Sequence, residues 1–558
     1  MENKKIKIAR ILKYVIFNIN LKSFYNSFFK ESIMNKLLES DKRLIVKCSS
    51  VQKRLEEPRV QTQHSQMSSR SEESSNKEKP GLASKFIDLT NIYEDIKTKL
   101  IKRTKDEKPN LSQWKSKKPL YSHATLRGEI FKIVLAIIRA EQDSSRLQRL
   151  VELLSYLQSH PEGIVVAAKL DTIPLLLTLR RRMTDQNILQ VINQLFALFG
   201  FVDPPKSRGL RILSIDGGGM RGIAVIQMLK YIEEVCGKKI HELFDLICGV
   251  STGAIITCFL VPPHCMGLDE IYYLYRSMSL KVFKQNTLWG TSKLVWSHAY
   301  YDTKVWEDLL KDYVGETALL DTNKHLRCPK VAIVSTIVNY SRAVPYIFRN
   351  YGSPYERCSE YHGSYAHSMF EAVRASAAAP TIFEEYKTGN ILHQDGGLMV
   401  NNPTAVALHE ARTLWPMESF SCIVSCGTGK YEPMVMTEQL QNLTKGSSSW
   451  KTILDKILQS ATDTEHIHTL MADILSEQVY FRLNPHLSYE VSMDDTNEDH
   501  LKILEEDTVM YIRRNEDLFH DVCKALLAKR TLAQKSTDQI KYHKHLLKFA
   551  MNQSFKQV

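Results

Sequence analysis

The sequence predicts an α/β architecture with a largely parallel central sheet, preceded by a helical segment, and three observations support it. From Leu210 onward, short apolar runs rich in β-branched residues (RILSI, FDLICGV, KVAIVSTIV, FSCIVSCG) alternate with helical patterns. Strands alternating with helices give parallel sheets. Between about Ala124 and Gly200, apolar residues recur at helical intervals instead, as in LDTIPLLLTLRRRMTDQNILQVINQLFALFG. At 558 residues, 43% of them hydrophobic, the chain exceeds one ordinary domain and can fill a large core.

Taken in order, the first element is a basic segment, residues 1–48, in which Ile8, Ile11, Leu12, Val15, Ile16 and Ile19 recur at helical spacing. Transit peptides and interfacial amphipathic anchors both look like this, and an ordinary N-terminal helix is the plain alternative. The expectation is mitochondrial targeting, with the endoplasmic reticulum or peroxisomal membrane as other intracellular destinations. Residues 49–120 are polar and repetitive, with a basic run at Lys97, Lys99, Lys102, Arg103, Lys105 and Lys108, and predict a disordered linker. Residues 121–205 come next as the helical segment, which resembles one or two armadillo-type repeats, with Pro174 ending one helix and starting the next. Such units stack on a neighbour, so this one should pack against the part of the chain beyond Asp203-Pro204-Pro205. The α/β unit is expected over residues 208–430 and a mainly helical extension over 431–558, broken by the strand-like VYFRLNP. The uncharged apolar stretch from Leu246 to Val261, ended by Pro262-Pro263, is shorter than the ~20 residues a membrane-spanning helix needs.

Composition narrows the partners. Lys+Arg 74 against Asp+Glu 62 gives a net charge of +12, which favours an anionic partner such as nucleic acid or a phospholipid surface. No aromatic-basic motif of the common nucleic-acid modules is present, so a lipid surface is the better reading. Ten cysteines without a C-x-x-C pair argue against a zinc ribbon or disulfide scaffold and for a reducing compartment.

Two glycine-rich turns carry the chemistry. In SIDGGGMRGI, Gly217, Gly219 and Gly222 have the spacing of a dinucleotide-binding turn. That reading requires a carboxylate at the end of the second strand, and FDLICGVSTGAIITCFL places Gly249-Val250-Ser251-Thr252-Gly253 there instead. An apolar strand entering G-x-S-x-G and an apolar helix leaving it is the setting of a nucleophile elbow. Gly249 and Gly253 remove the bulk that would prevent a tight turn, so Ser251 can expose its Oγ. The glycine loop then offers backbone amides to a developing oxyanion. Eighteen histidines include none that a motif singles out as base. Asp395, in ILHQDGGLMVNNP, is either a carboxylate delivered by a strand or the aspartate of an ordinary D-G turn.

DGGGMRG, GVSTG and DGG, in that order on alternating strands and helices, resemble the patatin-like phospholipase family. The similarity runs from about Arg208 to Lys430 and includes CPKVAIVSTIVN, RASAAAP and the SCGTG run. It is strongest to the calcium-independent phospholipases A2 of that family. The resemblance implies a three-layer α/β/α domain with Ser251 as nucleophile and Asp395 as general base, without a histidine. It also implies an oxyanion region at Gly217, Gly218, Gly219 and Arg221, with elbow glycines Gly249 and Gly253. The expected reaction is release of fatty acid and lysophospholipid from glycerophospholipids at a membrane surface. Met220 fills a variable place in the glycine motif. The chain lacks a terminal Ser-Lys-Leu, so peroxisomal import by that signal is not expected.

No cofactor or metal is expected. Asp495, Asn497, Asp499 and Glu506 have calcium-loop offsets, but His500 stands where glycine is needed, and an acidic helix N-terminus is the better reading. A neutral-lipid or lysophospholipid hydrolase or an acyltransferase would use the same two residues. A noncatalytic helical-repeat scaffold would have no use for them.

Overall fold

The computed structural model describes residues 123–283, 301–431 and 464–555, with side chains through residue 544. The expected targeting segment and linker, residues 1–120, lie outside the described residues.

Among the described residues, nine strands form one sheet: β1 (Leu210–Ile215), β2 (Leu246–Val250), β3 (Lys330–Ile337), β4 (Val344–Arg349), β5 (His362–Ser364), β6 (Tyr386–Thr388), β7 (Ile391–Asp395), β8 (Phe420–Cys426) and β9 (Tyr480–Leu483). The main order is β5-β4-β3-β2-β1-β8-β9, parallel from β3 through β9. Helices cover both faces of this parallel part. Leu213 and Ile215 point into a core shared with helices Gly222–Cys236, Thr252–Leu260 and Leu268–Phe283, whereas Leu210 and Ile212 pack with Val406, Ala407 and Ala411 of helix Thr404–Leu414. Burial on both sides explains the uninterrupted apolar run of β2 and the mainly apolar β1, in which every residue, Arg211 and Ser214 included, is buried. β4 is missing from the strands legible in the sequence because Pro345 interrupts its run; it lies antiparallel to β3.

One detail of topology builds the site. β2 pairs with β3 from Lys330 to Val334, and where β2 ends, antiparallel β7 takes its place beside β3, pairing Ser335 with Asp395. The residue after β2 and the last residue of β7 are therefore brought together, although 144 positions separate them.

Five helices (His123–Arg139, Asp143–Ser159, Gly163–Lys169, Thr172–Arg182 and Gln186–Leu198) enclose a core of their own around Ile130, Leu150, Leu157, Ile188 and Ile192. Pro174 stands in the first turn of the fourth, where its missing N–H costs nothing. The segment packs against the α/β unit as expected. Leu320 joins its core, Gln194 Nε2 donates to Asp321 Oδ1 at 2.7 Å, and Gly352 N donates to Ala197 O at 2.8 Å.

The sheet continues past residue 430, because β9 adds to β8 in parallel register from Ile423↔Tyr480 to Cys426↔Leu483. Helices Glu498–Arg514 and Glu516–Leu527 then pack on Gly222–Cys236. The boundary expected at residue 430 thus falls inside one continuous layer structure. No described helix is long and apolar enough to cross a membrane.

Candidate active site

Ser251 links β2 to helix Thr252–Leu260 with φ 53° and ψ −118°. A side chain at such angles is strained by about 1–3 kcal/mol, and persists only where its surroundings impose it. Here they do. Ser251 N donates to Ser376 Oγ at 2.9 Å, and Ser376 Oγ donates to Val334 O at 2.5 Å, tying the turn to β3. The flanking glycines are obligatory for packing: a Cβ on Gly249 would strike the carbonyl of Gly253, and one on Gly253 would strike the carbonyl of Ile215.

Ser251 Oγ donates to Asp395 Oδ2 at 2.6 Å, and Gly397 N donates to Asp395 Oδ1 at 2.7 Å. Asp395 is 6% exposed, and burial pushes its pKa up to about 6 against the opposing pull of those two hydrogen bonds. It is therefore a far better base than an exposed aspartate and still ionised at neutral pH. Among the described residues, no histidine bonds either one. His393, two residues from Asp395, is held between Ser335 Oγ at 2.9 Å and Thr388 Oγ1 at 2.7 Å, and burial keeps its pKa near 4. It is a neutral core histidine.

The glycine loop lies across the same opening. Gly218, Gly219, Arg221, Ser251, Thr252 and Asp395 line one end of a cavity of about 340 Å³. Its other walls are apolar, with Met278, Val282, Phe283, Trp306, Ile382 and Phe383 among them. Trp306 and Phe383 stack with centroids 5.5 Å apart. The four residues expected to form the oxyanion region are not bonded alike. Gly217 N is spent on Asn401 O at 3.2 Å and Arg221 N on Gly218 O at 3.2 Å, whereas the amides of Gly218 and Gly219 meet no acceptor among the described residues. The side chain of Arg221 reinforces the loop, its Nε lying 3.4 Å from Gly218 O. Close packing again demands glycine, since a Cβ on Gly218 would strike Thr428 and one on Gly219, at φ +55°, the carbonyl of Met493.

Sequence reasoning missed Ser376, Thr428 and Met493. RASAAAP and SCGTG were visible as motifs, yet the contacts that matter are side chain to backbone across 42 to 211 residues and leave no local pattern. Met493 O accepts from Met220 N at 2.8 Å, so the C-terminal extension touches the glycine loop directly. Beneath that loop, buried Asp216 faces Arg482 at 2.7 Å. The acidic run nearby is a helix start: Asn497 caps Glu498–Arg514, Asp495 bonds His500 Nδ1 at 2.7 Å and Asn497 N at 2.9 Å, and Asp494 accepts from Tyr301 at 2.8 Å. Its carboxylates face different partners and no group that could hold a metal is found among the described residues.

Residues 213–408, which contain both Ser251 and Asp395, match the family model for patatin-like phospholipases. The chain is 42% identical over 440 residues to calcium-independent phospholipase A2-gamma of Homo sapiens, covering 79% of this chain and 55% of that protein. To the Mus musculus protein of the same name it is 43% identical over 410 residues, 73% of this chain and 52% of the relative. Phospholipase A I of Arabidopsis thaliana is 31% identical over 391 residues, 60% and 29% of the two chains. The chain spans about half the length of the mammalian relatives it matches.

Proposed function

We propose, from the match of residues 213–408 to the patatin-like phospholipase family, that the protein is a calcium-independent serine phospholipase, acting through a Ser251–Asp395 dyad on fatty acyl esters of membrane glycerophospholipids. The observation that carries this reading is the 2.6 Å hydrogen bond from a strained serine to a buried aspartate at the polar end of an apolar cavity. An acyl chain lies along the apolar wall and its ester carbonyl at Ser251. Asp395 takes the Oγ proton as Oγ attacks that carbon, and the amides of Gly218 and Gly219 receive the oxyanion. Collapse of the intermediate breaks the ester C–O bond, and Asp395 returns the proton to the departing lysophospholipid alcohol. Water then attacks the acyl-enzyme with Asp395 again as base, releasing fatty acid and free Ser251. The deciding experiment is a lipid panel read by released fatty acid and lysophospholipid. Equal or greater turnover of triacylglycerol or lysophospholipid, or transfer of acyl groups to an alcohol, would replace the phospholipid reading by one of its relatives.

Because the base must be ionised, kcat/KM on an uncharged ester should rise with pH through about 6, the value to which burial lifts Asp395, and level off above it. A flat profile between pH 4.5 and 7.5 would remove Asp395 from the base role. Turnover should be unchanged by EGTA or EDTA, since the carboxylates of the acidic run are engaged with His500, Tyr301 and backbone amides. Loss on chelation, restored by calcium, would overturn the calcium-independent reading.

The surface partner is a phospholipid membrane inside the cell, with the mitochondrial membrane as the proposed address. What supports it is the excess of Lys+Arg over Asp+Glu and the basic sequence of residues 1–48.

A further inference from the structure

The two peptide units of the glycine loop with unspent N–H groups are each held by the carbonyl on their other side. A trans peptide is planar, so its N–H points opposite to its C=O. Gly218 O accepts from Arg221 N at 3.2 Å and from Arg221 Nε at 3.4 Å, which fixes the direction of Gly219 N–H. Gly217 O accepts from Thr428 Oγ1 at 3.0 Å, which fixes the direction of Gly218 N–H. Thr428 does not line the catalytic cavity, whereas Gly218 and Ser251 do. The Gly217 carbonyl is thus pulled behind the loop, and the opposite N–H is turned toward the nucleophile.

Thr428 is itself firmly seated. It is buried at 5% exposure, and its neighbours are clipped to the end of β9: Gly427 N donates to Leu483 O at 2.8 Å and Gly429 N to Asn484 Oδ1 at 2.9 Å. Its methyl and Cβ abut Gly218 so closely that a side chain at 218 would not fit. A buried hydroxyl in the turn after β8, held on both sides by hydrogen bonds to Leu483 and Asn484, therefore orients the first oxyanion donor.

We infer that Thr428 is a positioning residue for the oxyanion hole, acting through the Gly217 carbonyl to aim the Gly218 amide at the developing charge. The inference rests on the acyl-hydrolase reading of the Ser251–Asp395 site. Gly218 N–H matters most when the carbonyl oxygen becomes an anion, so disturbing its direction should lower kcat and spare KM.

The test compares Thr428→Val, which keeps the shape and loses the donor, with Thr428→Ser, which keeps the donor. Removing a whole oxyanion donor costs about 10²–10³ in kcat, and misdirecting one should cost roughly 10–100-fold with KM within about twofold. Thr428→Ser should stay within about threefold of wild type. The rate at which a fluorophosphonate labels Ser251 should fall in the same order, because the adduct's phosphoryl oxygen occupies the oxyanion position. Wild-type kcat in a folded Thr428→Val protein overturns the inference, as does an equal loss in the Val and Ser variants. Should Thr428→Val fail to fold, Thr428→Cys, with its weak donor, takes its place: kcat below Thr428→Ser at unchanged KM supports the inference, and kcat equal to it overturns the inference. A wild-type enzyme that turns over no phospholipid yet is labelled at Ser251 removes the phospholipid reading, while the labelling rates still decide the role of Thr428. A Ser251 inert to both removes the two together.

Discussion

Ser251→Ala should abolish ester turnover, a loss of roughly 10⁴–10⁶ in kcat if the dyad behaves as other serine nucleophiles do, and should end covalent labelling by fluorophosphonates. The protein should stay folded. Alanine keeps the Cβ in the strained turn at φ 53°, so it neither relieves nor adds backbone strain, and only the hydrogen bond to Asp395 disappears. Ser251→Gly separates the two contributions. It should be equally inactive yet more stable than Ser251→Ala by about 1–3 kcal/mol, because glycine occupies those angles without penalty. Thermal melts of the two variants measure that difference. Labelling that persists in Ser251→Ala, on another serine, would mean that the nucleophile has been misassigned.

The candidate nucleophile was legible in the sequence because its signal is local. Gly249 and Gly253 bracket Ser251 between an apolar strand and an apolar helix, and the structure shows each glycine pressed against a carbonyl. The parallel strands were legible for the same reason, since burial on both faces makes β2 wholly apolar and leaves β1 and β8 mainly apolar, with two polar residues each. Asp395 was different. Nothing in ILHQDGG distinguishes a base from a turn aspartate, because its position depends on β7 replacing β2 alongside β3, a matter of topology. Motif order, through resemblance, supplied what spacing could not. The candidate oxyanion loop was legible only as a set. Sequence pattern cannot tell that Gly217 N and Arg221 N are spent on carbonyls while Gly218 and Gly219 are not. Nor could it reveal that Thr428 and Met493 support the loop, since neither contact repeats with any helical or strand period. The limit drawn at residue 430 reflected a change from strand-like to helical pattern. It left out that β9, only four residues long, extends the sheet beside β8 and that its end bonds the turn carrying Thr428.

Asp395→Asn should cut turnover nearly as far as Ser251→Ala, by about 10³-fold or more, because the dyad has no second proton acceptor. The shape is preserved, and Gly397 N can still donate to the amide oxygen, so the loss is one of basicity. Fluorophosphonate labelling should slow in step, and the pH inflection near 6 should vanish from what activity remains. Stability should move the other way. The folded-state pKa of about 6 lies above the unbound value of 3.8, so the buried charge costs stability above about pH 6 and costs nothing below about pH 4. Asn carries no such cost. Its thermal midpoint should exceed that of the wild type at pH 7.5 and the gap should close as the pH falls toward 4. His393→Gln provides the contrast. His393 is neutral and bonded to Ser335 and Thr388 rather than to the dyad, so a folded variant should lose less than about tenfold in kcat. The competing arrangement is a Ser-His-Asp triad, which is also built on a G-x-S-x-G elbow. A histidine substitution that abolishes labelling in a folded protein, with Asp395→Asn retaining most activity, would establish that triad and refute the dyad. Low activity in Asp395→Asn, combined with a raised melting point at neutral pH, would identify Asp395 as a residue whose burial sacrifices stability to make a base.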